Sequence, residues 1–415
     1  MRRLSSLAGL ALVLAAAKTA GADATPGEAP PPDAPPSDRG AEAKAEAPAH
    51  ESAIDKRASI SLGGYQDSAA VSALTPTLAG GVESPTAGWG VDGRYLVDMI
   101  SAASPDIVAT ASPRWTETRH AGALGARYKP GNFGGGVNAT GSYTPDYLGL
   151  SLGGNVVLDL DEKNWTLVGG YTFGRDTVGR TGTPFAVFGR PVGFHSGTFG
   201  VTRLLGPSSV LSVVFDGIVE RGDQSKPYRY VPMFAPGTAD TLAPGASSDD
   251  VARLRIQARP LEQLPRERER GALTARYSLR AGAVTLRAEE RLYADTWSLF
   301  ASTTDVRVPI DVGSRVMVWP HARFHVQNGV SFWKRAYTAT SSADLPAFRT
   351  GDRELSPLWT GGLGAGARFG LGRAASPFDY VIHVALDGYY TQFSDALYMT
   401  SRTSGLLTVA GEAKF

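Results

Sequence analysis

Apolar and polar residues alternate with a period of two along most of the chain, the pattern of strands with two unlike faces. In 147–160, Leu148, Leu150, Leu152, Val156, Leu158 and Leu160 share one face, with Gly149, Ser151, Gly153, Asn155 and Asp159 on the other. In 88–99, Trp89, Val91, Tyr95, Val97 and Met99 oppose Asp92, Arg94 and Asp98. The same alternation runs through 164–174 (Trp165, Leu167, Tyr171, Phe173), 271–280 (Leu273, Ala275, Tyr277, Leu279) and 378–390 (Phe378, Tyr380, Ile382, Val384, Leu386, Tyr390). Glu290 breaks the rule. It falls on the apolar side of its segment, where a place near a strand end is expected.

Soluble antiparallel sheets alternate too, so two further features decide. Aromatics stand near the ends of the apolar faces (Trp89, Tyr143, Trp165, Tyr171, Phe378, Tyr390), as an interfacial girdle requires. Connections also tend to alternate in length. Tight links fall at 129–131, 161–163, 205–207, 281–282 and 311–313. Long ones fall at 100–114, 176–193, 220–269, 338–354 and 393–402, and the short link at 144–147 is the exception. Outer-membrane barrels have short periplasmic turns and longer external loops. The expected fold is therefore all-β, a transmembrane antiparallel up-and-down β-barrel of about sixteen strands. Fourteen stays open, because 58–66 and 69–82 are the weakest segments.

The last residues alternate as well. Leu407, Val409, Gly411, Ala413 and Phe415 oppose Thr408, Glu412 and Lys414. This resembles the terminal strand that the outer-membrane assembly machinery recognises, with Phe415 as its signal. The faces opposite the apolar ones carry Asp92, Arg94, Asp98, Arg119, Arg276, Arg280, Arg287, Glu289, Arg291 and Arg323. Such charges are costly in lipid and tolerated in a wet lumen, where they would set ionic preference.

The start of the chain reads differently. Residues 1–24 have a signal-peptide pattern: Arg2 and Arg3, an apolar run from Leu7 to Ala17, and the small-residue site Ala22-Asp23-Ala24. Residues 25–56, rich in Pro, Ala and acids, read as a disordered periplasmic spacer. The barrel then occupies 57–415, in the outer membrane of a Gram-negative bacterium. Beyond the leader no run of about 18 apolar residues occurs, so any crossing is by strands.

Composition narrows the chemistry. Cysteine is absent, which excludes disulfides and thiolate sites. The 41 basic and 40 acidic residues nearly cancel, so no basic field points to nucleic acid. Only eight of the basic residues are Lys. An Arg-lined pore gives that bias, and so does a GC-rich genome, which is the favoured reading. His321 and His325 have a helical metal-pair spacing, but on a strand they stand roughly 13 Å apart. The glycines of 361–366 lack the Lys-Ser/Thr ending of a phosphate loop. Arg221-Gly222-Asp223 is an adhesion tripeptide of chance frequency. His120, His195 and His383 are expected at lumen or rim positions. Asp379, His383 and Asp387 share one face of one strand, spread too far apart to act together. No catalytic residue, cofactor or metal site is expected.

Loop 220–269 is too long to be mere connection. It joins Tyr228, Arg229, Tyr230 and Phe234 to Arg253, Arg255, Arg259, Arg266 and Arg268. Three readings stand: a constriction folded into the pore, a surface that grips anionic ligand or lipopolysaccharide, and a solvated cap. Tyr228, Arg229, Tyr230, Arg253 and Arg255 are the candidate binding residues.

Several segments, in order, resemble an uncharacterised family of bacterial outer-membrane barrels known only as a domain of unknown function. They are Asp98–Asp106, Lys226–Val231, Pro265–Arg268, Tyr293–Trp297 and Arg323–Gln327. The family pattern has Gly at the place of Ala102 and usually Tyr at that of Trp333. The resemblance implies an outer-membrane barrel and no particular activity. The first functional expectation is a porin-like channel or transport protein for small solutes. The alternative is a non-conducting structural or adhesion barrel displaying loop 220–269. A barrel enzyme comes third. Expected partners are outer-membrane lipid, lipopolysaccharide, the assembly machinery and small solutes.

Overall fold

The computed structural model describes residues 54–110, 115–371 and 379–415. The expected leader, residues 25–53 of the expected spacer, and Phe378 lie outside these residues; Asp55 and Lys56, expected at the end of the spacer, already belong to the first strand of the wall. Among the described residues no helix is long and apolar enough to cross a membrane.

Sixteen antiparallel strands close on themselves. The first nine follow one another as β1 (Asp55–Asp67), β2 (Val71–Ser84), β3 (Trp89–Ala102), β4 (Trp115–Tyr128), β5 (Phe133–Thr144), β6 (Tyr147–Leu160), β7 (Trp165–Val178), β8 (Arg190–Gly206) and β9 (Ser209–Gly222). A short piece, β10 (Met233–Phe234), lies outside the wall. The wall resumes with β11 (Glu267–Ala281), β12 (Val284–Asp295), and β13 (Phe300–Arg307) continued by β14 (Ile310–Val312). It then runs through β15 (Val316–Gln327), β17 (Leu358–Gly370), β18 (Asp379–Phe393) and β19 (Ser401–Lys414), and β16 (Tyr337–Thr338) pairs with β10. β19 pairs with β1 to seal the cylinder, and Phe415 exchanges backbone hydrogen bonds with Lys56 at that seam. Both weak early segments are full strands, which settles the count at sixteen.

Closure is what a bilayer demands, because an open edge in hydrocarbon leaves backbone groups without partners. Pro309 has no N–H to donate to the ladder, and it falls between β13 and β14, where one wall strand is broken into two.

The apolar faces point outward. Leu124, Leu152 and Leu363 are 68%, 64% and 73% exposed, values that make sense only against lipid. Trp89, Tyr128 and Phe369 mark the end with short turns, which is the periplasmic end. Tyr171 departs from the expected girdle: it sits near the middle of β7, its hydroxyl 2.5 Å from Nδ1 of His195. Glu290 also departs from expectation, since it lies mid-strand in β12 and not near an end.

The external end is built differently. Segments 103–110, 179–189, 223–266, 328–357 and 394–400 gather there into a folded cap. Val231, Met233, Phe234 and Tyr337 are nearly fully buried in it. Helix Ser248–Leu254 packs Val251 into the cluster around Phe234, and the Ser247 hydroxyl caps it by accepting from the Asp250 N–H at 3.1 Å.

Candidate functional site: the lumen and its cap

Strand alternation sends every second residue into the barrel, and two unlike inner walls result. On β5 to β8 the mid-strand inward residues are small and uncharged: Asn138, Thr140, Ser151, Gly153, Thr172 and Ser196. The Thr140 and Ser151 hydroxyls join at 2.7 Å. On β9 through β18 the inward rows are ionic. Arg276 Nε donates to Glu289 at 2.5 Å, and Arg291 Nη1 reaches Asp216 at 3.3 Å and the Thr274 hydroxyl at 2.9 Å. Arg323 Nη1 lies 3.3 Å from Asp305, and Arg280 pairs with Asp311 at 2.6 Å toward the periplasmic end. Arg287 faces the same space.

A second charged group lies on β3 and β4. Arg119 holds buried Asp98 at 2.6 Å, and the Thr75 hydroxyl donates to the same carboxylate. Asp92 is exposed and lies 4.0 Å from Arg127, which also pairs with Glu83. Arg94 lies on the same inner face. By strand alternation these charges fall on the faces opposite the exposed leucines, and most of those with a resolved partner meet an opposite charge across a strand.

Sequence reasoning missed the partners. His321 stands between two carboxylates, Nδ1 2.6 Å from Asp387 and Nε2 2.8 Å from Asp305. Cross-strand register brings them together: Asp305 is opposite Arg323, and Gly364 is opposite both His321 and Asp387. The glycine stretch 361–366 exists for this neighbourhood. A Cβ on Gly364 would strike the Asp387 carboxylate, and one on Gly366 would strike the Trp319 indole. Those bare positions let long inward side chains lie flat along the wall.

His321 and His325 both point inward, but His325 meets Thr303 and Gln327. His383 faces Glu412 at 3.9 Å while Asp387 serves His321, so these two do not act together. His120 and His195 are not lumenal or at a rim: both project from the outer face, bonded to Tyr95 at 2.7 Å and Tyr171 at 2.5 Å. In the adhesion-like tripeptide, Arg221 and Gly222 end β9, and Asp223 is tied to Arg190 at 2.8 Å.

The cap places the candidate loop residues apart. Tyr228 and Arg229 are buried. The Tyr228 hydroxyl accepts from the Thr181 N–H at 2.7 Å, and Arg229 bridges Asp352 at 2.8 Å and Glu262 at 3.3 Å. Burial alone would lower the Arg229 pKa; the carboxylates of Asp352 and Glu262 outweigh it and raise it. Burial alone would raise Asp352, but the charge and hydrogen bonds of Arg229, with Lys226 nearby, bring it down to about 2. Lys226, close to these groups, is lowered by burial and by Arg229. Tyr230, Arg253 and Arg255 lie nearer the surface: Tyr230 under Arg259 at 5.3 Å, Arg253 on Asp250 at 2.5 Å, Arg255 donating to the Ile256 carbonyl at 3.1 Å. Within the cap Arg353 ties segment 328–357 to Asp106, and Arg402 of β19 fastens the cap to the wall through Glu354 at 2.9 Å. Among the described residues no group of three or more His, Asp or Glu is placed to hold a metal ion.

Residues 194–394 match the family described as Protein of unknown function (DUF3570). The match begins in β8, so the Asp98–Asp106 segment lies outside it. No curated protein matches the sequence. Among solved structures the chain is similar to the siderophore receptor PirA from Acinetobacter baumannii, at 10% identity and TM-score 0.40, over 80% of this chain and 52% of that one. It spans about half the length of that receptor. It is also similar to the P. putida toluene transporter TodX, at 9% and 0.37, over 87% and 89%. A third is Pseudomonas aeruginosa OccK3, at 9% and 0.37, over 86% and 95%. A closed sixteen-strand wall that turns leucines out and charges in is an outer-membrane β-barrel, and residues 194–394 of this barrel, just under half of the chain, are what resembles the family of unknown function.

Proposed function

We propose that the barrel is a channel that admits small polar or ionic solutes across the outer membrane, with the external cap setting access. The observation that carries this reading is the lumen's asymmetry. Ionic rows on β9 to β18 face a wall of hydroxyls and glycines on β5 to β8. A barrel of this size can hold an aqueous interior, and water there removes the cost that Arg276, Arg291 and Arg323 would meet in lipid. Arg94, Arg119 and Arg287 then help set which ions pass. The reading assigns no catalysis. On this reading Phe415 serves assembly, and Tyr230, Arg253 and Arg255 are the cap residues that would meet external ligand or lipopolysaccharide.

Single-channel recording in planar bilayers tests it. The purified, heat-modifiable barrel should give discrete conductance steps whose reversal potential in a salt gradient departs from zero. A folded barrel that inserts and never conducts defeats the proposal. The cap's own apolar cores favour a second reading, a barrel that displays the cap and moves nothing. Deleting 223–266 should then abolish surface binding and leave permeability unchanged.

A further inference from the structure

Among the described residues the hydrocarbon-facing surface carries an acid, Glu290, and two histidines, His120 and His195, well inside its strands, and the acid and one histidine are complementary in place and charge. Glu290 is the seventh of the twelve residues of β12, counted from the periplasmic end. Its carboxylate accepts from Ser302 Oγ at 2.5 Å and from Thr304 Oγ1 at 2.6 Å, both hydroxyls on the outer face of β13. A carboxylate has about four acceptor positions, so two remain. His195, on β8, lies opposite Phe173, the ninth residue of β7 from the same end. Its Nδ1 is turned to the Tyr171 hydroxyl, which leaves Nε2 as the nitrogen that would meet a neighbour. The two heights differ by two residues, roughly 5 Å on a tilted strand, within reach of the side chains. The third residue, His120, lies on β4, nearly across the barrel from Glu290.

Shape agrees with charge. Beside Glu290 a shallow apolar hollow of about 690 Å³ is lined by Phe215, Leu273, Leu292, Phe300 and Val326. Beside His195 the outer wall bulges with Tyr171, Phe173 and Phe199, each about half exposed. An acid next to a hollow and a base next to a bulge form a heterologous contact, which closes into a ring only at the right angle. β8 and β12 are three neighbours apart in a wall of sixteen, roughly 68° of the circumference. The directions from one copy to its two neighbours differ by about 60° in a ring of three and about 90° in a ring of four. His120 and Glu290, seven strands apart, fit no small ring.

We propose that the barrel assembles in the membrane as a trimer, with Glu290 and the hollow on β9 to β15 of one copy receiving His195 and the aromatic bulge on β7 and β8 of the next. The β9 and β11 face then turns toward the threefold axis, where Gly217 and Gly271 permit close approach.

The native chain has no cysteine, so pairs can be placed cleanly. Gly197→Cys and Ala288→Cys flank the contact on the outer face and leave Glu290 and His195 in place; a Cβ at Gly197 meets nothing within 4 Å. Intact outer membranes are treated with a short bis-maleimide, and folding is checked by heat-dependent gel shift. The double variant should give two-chain and three-chain species and nothing larger, and each single variant only single chains. Single chains alone from the double variant, a ladder beyond three, or two-chain species from either single variant would overturn the trimer. Adding Glu290→Ala should cut cross-linking at least tenfold. An unchanged yield removes the carboxylate from the contact and overturns the proposal in this form.

Discussion

The barrel wall and the cap are one chain solved for two solvents. In the wall, Leu152 and Leu363 stand outside and Arg276, Arg291 and Asp305 inside. In the cap, Met233 and Phe234 have no exposed surface, and the helix acids Asp249 and Asp250 face water. The wall owes its cohesion to a closed ladder of backbone bonds, since lipid offers no force to bury its leucines. The cap has little regular structure, and its cohesion is apolar burial stitched by side-chain bonds to loop carbonyls, as from Arg349 to Leu261 and Pro346, both at 2.8 Å. It follows that the two should fail separately, by different insults.

The largest separation is expected from Phe234→Ala. Deleting a fully buried aromatic in a soluble core costs about 3–5 kcal/mol, enough to loosen a cap built of loops. The barrel's heat-modifiable gel shift should persist, while trypsin cuts within 223–266 and mean conductance rises. If the variant loses the barrel as well, wall and cap are one cooperative unit and the contrast is mistaken. If protease resistance is untouched, the apolar cluster is not what holds the cap.

This difference also explains what was legible beforehand. The wall announces itself because its solvents lie on opposite sides of each strand, so period-two alternation, and with it the strands and their outward leucines, can be read residue by residue. Register cannot be read that way. Asp305, His321 and Asp387 come from three strands, and nothing local in any of them says that they meet. The outward His120 and His195 were misplaced for a related reason: each bonds a tyrosine on the neighbouring strand, so a polar side chain tolerates the lipid side. Glu290 deceived in the same way, with Ser302 and Thr304 supplied by β13. The cap was least legible. Tyr228 and Arg229 look like a binding motif in sequence, and only the fold reveals Glu262 and Asp352 closing around that arginine.

Leu152→Arg should act on the wall alone, with a somewhat smaller effect. A cation at mid-membrane on the lipid face costs about 2–4 kcal/mol, falling toward the interfaces, and Leu152 lies within the outer apolar row of β6. Urea refolding into bilayers should show the loss, while the cap of the refolded protein resists trypsin like the parent. The same substitution at Ser151, whose side chain faces the lumen, should cost much less. Equal penalties at 151 and 152 would mean that the assigned faces of β6 are wrong.

The smallest effect is confined to the cap and switched by pH. Arg229, helped by Lys226, holds the partly buried Asp352 carboxyl down to about 2, against its ordinary 3.8. A carboxyl whose folded value is depressed contributes stability that is fully present above its unfolded value and is lost as pH falls through the folded one. The window is therefore about pH 4 down to about pH 2, and the contribution is on the order of 2 kcal/mol. The wall, held by its backbone ladder, should not follow. Trypsin is inactive there, so pepsin is the probe: accessibility of 223–266 should rise between pH 4 and pH 2 while the gel shift stays. Asp352→Asn removes the proton-binding group. It should make the cap looser at pH 6 and flatten its response below pH 4, because no charge is left to neutralise. A variant that keeps the parent's acid response would show that Asp352 is not the group that titrates, and would move the acid sensitivity to another carboxylate of the cap, such as Glu262.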